Sequence, residues 1–332
     1  MQSIVRASLG RIAKFGEFDI KSVDRQNWKH ADYVVAEVTD PPGPNSWVEV
    51  RSGRMIQVIQ GDRILGAFGN RHATLKLTGS WESIGDDLRF NLLTGAGLFG
   101  QVSSISAYAA SPINLKYVGH VIKDGHTCNM SDYAVRDTGK AFALPVLLIV
   151  GSSMSAGKTN SARILIRRLK KMKKRVLAAK LTGAGRYRDV LTMKDSGADA
   201  IYDFTDAGLP STVCPRAEYT EAMRRLLSNM AEADVDIAVI ETGASPLEPY
   251  NGDTAVELLR EHIKFTILCA SDPYAAYGFI KVGGIMPDLI TGITCNTTAG
   301  QELVKQLTGV TPIRMNDPNA VNQVDEMLSR IF

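Results

Sequence analysis

Residues 146–171 read VLLIVGSSMSAGKTNSARILIRRLKK: an unbroken apolar run, a glycine-bounded loop, then a segment with helical periodicity. The run VLLIV predicts a strand buried on both faces. In the segment after the loop, Ala162, Ile164, Leu165, Ile166 and Leu169 supply an apolar face and leave a basic one outside, which predicts a helix. A strand, a glycine turn and a helix N-terminus form a site for anionic phosphate, because backbone N–H groups point outward there and the helix dipole reinforces them. The usual phosphate loop places four residues between its first glycine and Gly-Lys-Ser/Thr. Here five residues separate Gly151 from Gly157. The tripeptide Gly-Lys-Thr is short enough to arise by chance, and the flanking strand and helix are what give it meaning. Gly151, Ser155, Ala156, Gly157, Lys158, Thr159 and Asn160 are therefore candidates for holding a nucleotide. Lys158 would reach the β and γ phosphates, and the Thr159 hydroxyl would ligate Mg²⁺.

From about residue 143 the same grammar repeats. LPVLLIV, RVLAAKL, DIAVIE, FTILCA and LITGITC are short apolar runs separated by helix-length segments. That alternation predicts a doubly wound α/β domain over 143–332 with a mostly parallel sheet. Residues 1–140 differ. DYVVAEV, WVEVRS, MIQVIQGDRILGAFG, HATLKLTG and INLKYVGHVI are β-type runs between glycine and polar turns, and TDPPGPNS is a loop. They predict a smaller β-rich domain, barrel or sandwich. FNLLTGAGLFGQVSS fits either a strand pair around a glycine turn or a short helix.

A chain of 332 residues exceeds the size of one hydrophobic core, which agrees with two domains. The formal net charge of +3 is too small to call for nucleic acid, and the basic run RRLKKMKKR is expected to decorate an exposed helix end. Cys128, Cys214, Cys269 and Cys295 are scattered with no metal-type spacing and read as reduced thiols. No signal-peptide pattern or membrane-length apolar stretch is present, so a cytoplasmic protein is expected, without a membrane partner. Self-association as a dimer or higher oligomer is a further expectation.

The five-residue spacing in GSSMSAGKT resembles the loop GTDTxVGKT of dethiobiotin synthetase. VLAAKLTGAG places Lys180 and Thr182 where that family has a strand ending KPVxTG, whose lysine faces substrate and phosphate. VDIAVIETGAS is similar to its VEGAGG element, in which a strand-end glutamate helps to hold Mg²⁺, and Glu241 is the matching residue. A carboxylate closing an apolar run is otherwise costly to bury, and the carboxyl end of such a strand is where ligands bind in open α/β sheets. The resemblance implies a second metal-binding aspartate. Asp189, Asp195, Asp199, Asp203 and Asp206 are available, and Asp195 matches best by distance from Lys180. Arg186 and Arg188 are candidates for an anionic substrate, since guanidinium forks fit carboxylate and phosphate; Thr182 joins them as a substrate candidate. In the SIMIBI class of P-loop NTPases, which includes dethiobiotin synthetase, an asparagine after a late strand often contacts the base. Asn296 fits that role and equally fits a turn-forming asparagine. The guanine signature Asn-Lys-x-Asp is absent, which favours adenine. The chain also resembles a poorly characterised bacterial and archaeal family that couples a variable N-terminal domain to such a domain.

These readings imply an ATP- and Mg²⁺-dependent enzyme of ligase or kinase type, with Lys158 and Lys180 catalytic, acting on a small substrate that bears a carboxylate or carbamate. The competing reading is a nucleotide-driven switch or adapter of the metal- or cofactor-delivery kind, disfavoured by the lack of a His/Cys cluster. Binding of an acyl-CoA through its phosphates is a third, for which no residue calls.

Overall fold

Strand-forming runs and glycine turns alternate along the first 136 residues, and the computed structural model, which describes residues 3–41, 43 and 46–331, shows how they pair. Of the expected loop TDPPGPNS, Pro42, Pro44 and Asn45 lie outside the described residues. The strands are β1 (Ile4–Arg6), β2 (Asp19–Lys21), β3 (Tyr33–Val38), β4 (Trp47–Glu49), β5 (Met55–Gln57), β6 (Arg63–Phe68), β7 (Arg71–His72), β8 (Leu77–Ser80), β9 (Arg89–Thr94), β10 (Leu98–Ile105), β11 (Asn114–Lys123) and β12 (His126–Thr127). The main sheet runs β1-β6-β3-β11-β9-β10-β8-β7, and β10 also pairs in parallel with β6 through Leu98↔Ala67 and Phe99↔Phe68. That pairing closes β6, β3, β11, β9 and β10 into a ring. Closure removes the unpaired edges an open sheet would expose. Val34, Ala36, Phe68, Phe90, Phe99 and Leu115 belong to the apolar core of this unit. FNLLTGAGLFGQVSS forms the pair β9 and β10 around a glycine turn, so the strand alternative holds there.

Beyond residue 140, six strands form one parallel sheet in the order β15-β14-β16-β13-β17-β18. They are β13 (Val146–Gly151), β14 (Val176–Thr182), β15 (Ala200–Asp203), β16 (Ile237–Thr242), β17 (Ile263–Cys269) and β18 (Leu289–Thr291). The helices between and after them are α1 (Lys158–Lys171), α2 (Tyr187–Asp195), α3 (Arg216–Met230), α4 (Gly252–Leu259), α5 (Pro273–Gly283), α6 (Thr298–Thr308) and α7 (Val321–Ser329). β13, β14 and β16 are buried along their whole length. Such strands must be apolar on both faces, which is why they read as continuous runs. β15 is an edge strand of four residues, mostly half-buried, and was not legible as a run. LITGITC is a strand only to Thr291; Gly292 turns the chain and Ile293–Cys295 forms a 3-10 turn.

The chain divides into two compact units that do not follow chain order. The first extends through Arg136 and takes in Ala184–Arg188 and Phe204–Leu226; the second comprises Asp137–Gly183, Asp189–Asp203 and the chain from Leu227 onward. In the second unit three of the seven basic residues of the run 167–175 have local acidic partners. Arg168 pairs with Asp325, Lys170 with Asp199 at 2.7 Å, and Arg175 with Asp236 at 2.9 Å. None of the four cysteines is in a disulfide, and Cys128, Cys269 and Cys295 are buried. Among the described residues no helix is long and apolar enough to cross a membrane.

Candidate functional site

Strand β13 ends at Gly151, and the next six residues form a loop that delivers the chain to α1. Two of its residues take left-handed backbone conformations, Ser155 at φ 62° and Gly157 at φ 109°. Gly157 is the N-cap of α1 and supplies no side-chain cap, so the first-turn N–H groups are left to an incoming acceptor. Lys158 folds back over the loop, where its Nζ donates to the Ser153 carbonyl at 2.8 Å. The bare Gly151 makes room for it, because a Cβ there would lie 2.6 Å from that Nζ. Gly292 packs on the other side. At φ +97°, its added Cβ would meet the Ala156 carbonyl at 2.3 Å, so the turn after β18 braces the phosphate loop only because it carries no side chain.

Next to the loop the parallel register lines up charged groups at the carboxyl ends of the strands. Lys180 on β14 is opposite Glu241 on β16 and Asp203 on β15. The Thr159 hydroxyl donates to Glu241 Oε2 at 3.0 Å, and Lys180 Nζ donates to Asp189 Oδ2 at 2.5 Å. Lys158, Lys180, Asp203 and Glu241 are all buried. This crevice at strand carboxyl ends is where an open α/β sheet binds its ligands.

Burial sets the electrostatics. It pushes the Glu241 carboxyl above its ordinary range, against the pull of Lys180 and Lys158 and of the Thr159 hydroxyl bond. It pushes the Lys158 ammonium below its ordinary range, although Glu241 opposes this. Lys180 goes the other way. Burial disfavours its charge, but Asp189, Glu241 and Asp203 together outweigh that and hold the proton well above the usual lysine range.

The Thr159 hydroxyl and the Glu241 carboxylate are hard oxygen donors, and a buried carboxylate that retains a proton too strongly is one a cation would relieve. They fit Mg²⁺, which commonly takes one or two carboxylates and fills its other positions with phosphate oxygens and water. Among the described residues no group of three or more His, Cys, Asp or Glu side chains is arranged to cage a metal.

The other sequence candidates are placed as follows. Ser155 and Asn160 are exposed at the loop, and Asn160 donates to Asn316 at 3.2 Å. Ala156 is buried against the Gly292 turn. Thr182 is fully buried and its hydroxyl donates to the Gly243 carbonyl at 2.9 Å, which occupies it in joining β14 to the segment after β16. Asp195 is exposed and is the last residue of α2, whereas Asp189 is in the first turn of that helix, paired with Lys180. Spacing alone singled out Asp195; the helix places a different aspartate of the same group beside Lys180. Arg186 and Arg188 are exposed, Arg186 just before α2 and Arg188 in its first turn. Asn296 is exposed just past the 3-10 turn, with its N–H donating to the Ile293 carbonyl at 3.1 Å. Asp203 was open to sequence reasoning only as one of five aspartates, because its partnership with Lys180 is a matter of strand register.

A strand, phosphate loop and helix at the centre of a parallel α/β sheet define a P-loop NTPase fold, accompanied here by a strand-rich first unit. No family model and no curated protein matches the chain. Among solved structures it is similar to FtsY from the chloroplast of Physcomitrella patens, at 18% identity over 59% of this chain and 70% of that one with a TM-score of 0.36. It is similar to FtsY from Mycoplasma mycoides, at 16% identity over 61% and 72% with a TM-score of 0.39. It is also similar to HypB from Helicobacter pylori, solved in complex with nickel, at 18% identity over 57% and 86% with a TM-score of 0.38.

Proposed function

We propose that the second unit binds a nucleoside triphosphate with Mg²⁺, by preference ATP, and transfers its terminal phosphoryl group to a small anionic acceptor. The observation that carries this reading is the Thr159 hydroxyl on Glu241 at 3.0 Å, with Lys158 and Lys180 buried around the same carboxylate. Phosphoryl transfer requires positioning and charge neutralisation more than covalent chemistry from the protein. Lys158 and the loop N–H groups would hold the β and γ phosphates, and Lys180 would face the charge that develops on the transferred group. Bound Mg²⁺ would neutralise phosphate oxygens from the side of Thr159 and Glu241. No histidine lies among these side chains, and Asp189, Glu241 and Asp203 pull the Lys180 proton affinity upward against burial. An acceptor that is already an anion, a carboxylate or carbamate, needs no general base, which favours it over an alcohol. The resemblance of GSSMSAGKT, Lys180 and Glu241 to dethiobiotin synthetase supports the same substrate class.

The test is equilibrium titration with ATP and GTP, with and without Mg²⁺, on wild type and Lys158→Ala, followed by ADP release in the presence of small carboxylic acids. Wild type should bind in a Mg²⁺-dependent way, and the variant should lose roughly 10²–10³-fold in turnover. Wild-type protein that binds neither nucleotide, or a variant that retains both binding and turnover, would refute the proposal. Turnover that answers to a protein partner and ignores small acids would favour a nucleotide-driven switch using the same loop.

A further inference from the structure

Parallel pairing in the second unit continues past β18. After α6 the chain returns beside that strand: the Ile290 N–H donates to the Thr311 carbonyl at 3.0 Å, the Ile313 N–H donates to the Ile290 carbonyl at 2.9 Å, and Ile290 and Pro312 form a parallel bridge. A segment running with the strands leaves the sheet at their carboxyl ends, the edge that carries the phosphate loop. What leaves there is a tied turn. The Asp317 N–H donates to the Arg314 carbonyl at 2.9 Å, Met315 is buried, and Asp317 Oδ1 accepts from the Asn319 N–H at 2.9 Å. Within this turn Asn316 is exposed, and its Oδ1 accepts from Asn160 Nδ2 at 3.2 Å. Asn160 is in the first turn of α1, two residues past Lys158. Farther along the same helix, Arg168 Nε donates to Asp325 Oδ1 at 2.7 Å, so α7 is also fastened to α1.

The Asn160 donor decides which way round the Asn316 amide stands, because turning it over would set two NH₂ groups against each other. That orientation matters for a purine. Adenine presents a donor at N6 beside an acceptor at N1, and guanine presents the reverse, an acceptor at O6 beside a donor at N1. An asparagine amide can match either base, one way round for each. We propose that Asn316, with its amide oriented by Asn160, selects adenine: the second lone pair of Oδ1 accepts from N6, and Nδ2 donates to N1. The proposal rests on the reading above that the phosphate loop holds a nucleoside triphosphate. Asn316→Asp keeps the acceptor for Asn160 but exchanges the outward donor for a second acceptor, which opposes adenine N1 and suits the N1–H and 2-amino group of guanine. Asn160→Ala frees the amide to present either end.

The experiment is equilibrium titration of the full chain with ATP, GTP and inorganic triphosphate, each with Mg²⁺. Inorganic triphosphate has no base, so it reports the phosphate loop alone and serves as the reference for each variant. Wild type should bind ATP more tightly than GTP. The ratio of GTP to ATP dissociation constants should fall roughly ten- to hundredfold in Asn316→Asp, the scale of one bidentate amide–base pair. It should fall severalfold in Asn160→Ala, through a gain in GTP affinity relative to inorganic triphosphate. Asn316→Asp that binds inorganic triphosphate and keeps the wild-type ratio overturns the proposal. So does Asn296→Ala that abolishes the ratio while Asn316→Asp preserves it, since the base would then be read after β18. If Asn316→Asp does not fold, Asn160→Ala decides: a smaller ratio supports the role and an unchanged one overturns it. Wild type that binds inorganic triphosphate and both nucleotides equally well overturns base selection by Asn316 and leaves the phosphate-loop reading standing. Wild type that binds none of the three overturns both.

Discussion

Glu241 stores the site's conflict in one side chain. Burial raises its carboxyl above the ordinary value of 4.5, so the folded protein binds that proton more tightly than the unfolded chain does. A raised folded value contributes stability that is fully present below the unfolded value and lost as pH rises through the folded one. Glu241→Gln mimics the protonated form at every pH. The ligand-free wild type should therefore match Glu241→Gln in urea stability below about pH 4.5 and fall progressively behind it at higher pH. Parallel curves from acid to neutral pH would refute this cause. Thr159 offers a second check: Thr159→Val should weaken nucleotide binding at least about tenfold in Mg²⁺ and little without it, while Thr159→Ser should retain the wild-type behaviour. Equal losses with and without Mg²⁺ would remove Thr159 from the metal side. At this scale the sequence was informative where a residue type had one costly explanation. Glu241 closing DIAVI and Lys158 after a glycine loop are such cases. It was uninformative for Asp189 and Asp203, because which of five aspartates meets Lys180 depends on helix start and strand register.

The elements around the loop are held by close backbone approach, which a glycine permits. Gly292 combines φ +97° with carbonyl oxygens of Ala156 and Ala270 at 2.3 and 2.9 Å from any added Cβ. Gly309 at the end of α6 has φ +72° and nothing near. Gly292→Ala should cost about 2–4 kcal/mol and reduce nucleotide affinity by displacing the loop, from strain and overpacking together. Gly309→Ala should cost only about 1–2 kcal/mol, from its left-handed conformation, and leave affinity intact. Urea unfolding and nucleotide titration on the pair would check both, and equal costs would show that loop contact is not the cause. Element identity was legible in proportion to burial. The interior strands β13, β14, β16 and β17 stand out as apolar runs, while β15, short and mostly half-buried, does not. The start of α2 was illegible for a different reason: its cap is supplied by Glu49, 138 residues away.

Chain order and compact units part company in the whole molecule. The first unit's ring of strands ends before Arg136, yet several of its buried polar groups are satisfied by residues of 184–188 and 204–226. Arg11 pairs with Asp206, and the Val135 N–H donates to the Asp206 carbonyl at 2.8 Å. Glu49 receives both of its backbone donors from Tyr187 and Arg188. No periodicity in the sequence announces such returns, because each returning stretch is too short to carry a pattern of its own and is defined by its partners. A fragment ending at Arg136 would keep the apolar ring around Phe68 and Phe99 but leave Glu49 and Arg11 without these partners. Each buried polar group left unpaired costs about 1–3 kcal/mol, more when charged, against a typical total of about 5–15 kcal/mol for a domain. Glu49 keeps its Ser8 donor but loses both backbone donors, and that loss consumes part of the margin. The fragment 1–136 should therefore unfold without a cooperative transition by circular dichroism and exchange its β6 and β10 amides quickly, whereas the full chain protects them. A sharp, two-state melt of the fragment with protected amides would show that the strand ring is self-sufficient and that the returning segments are accessory to it.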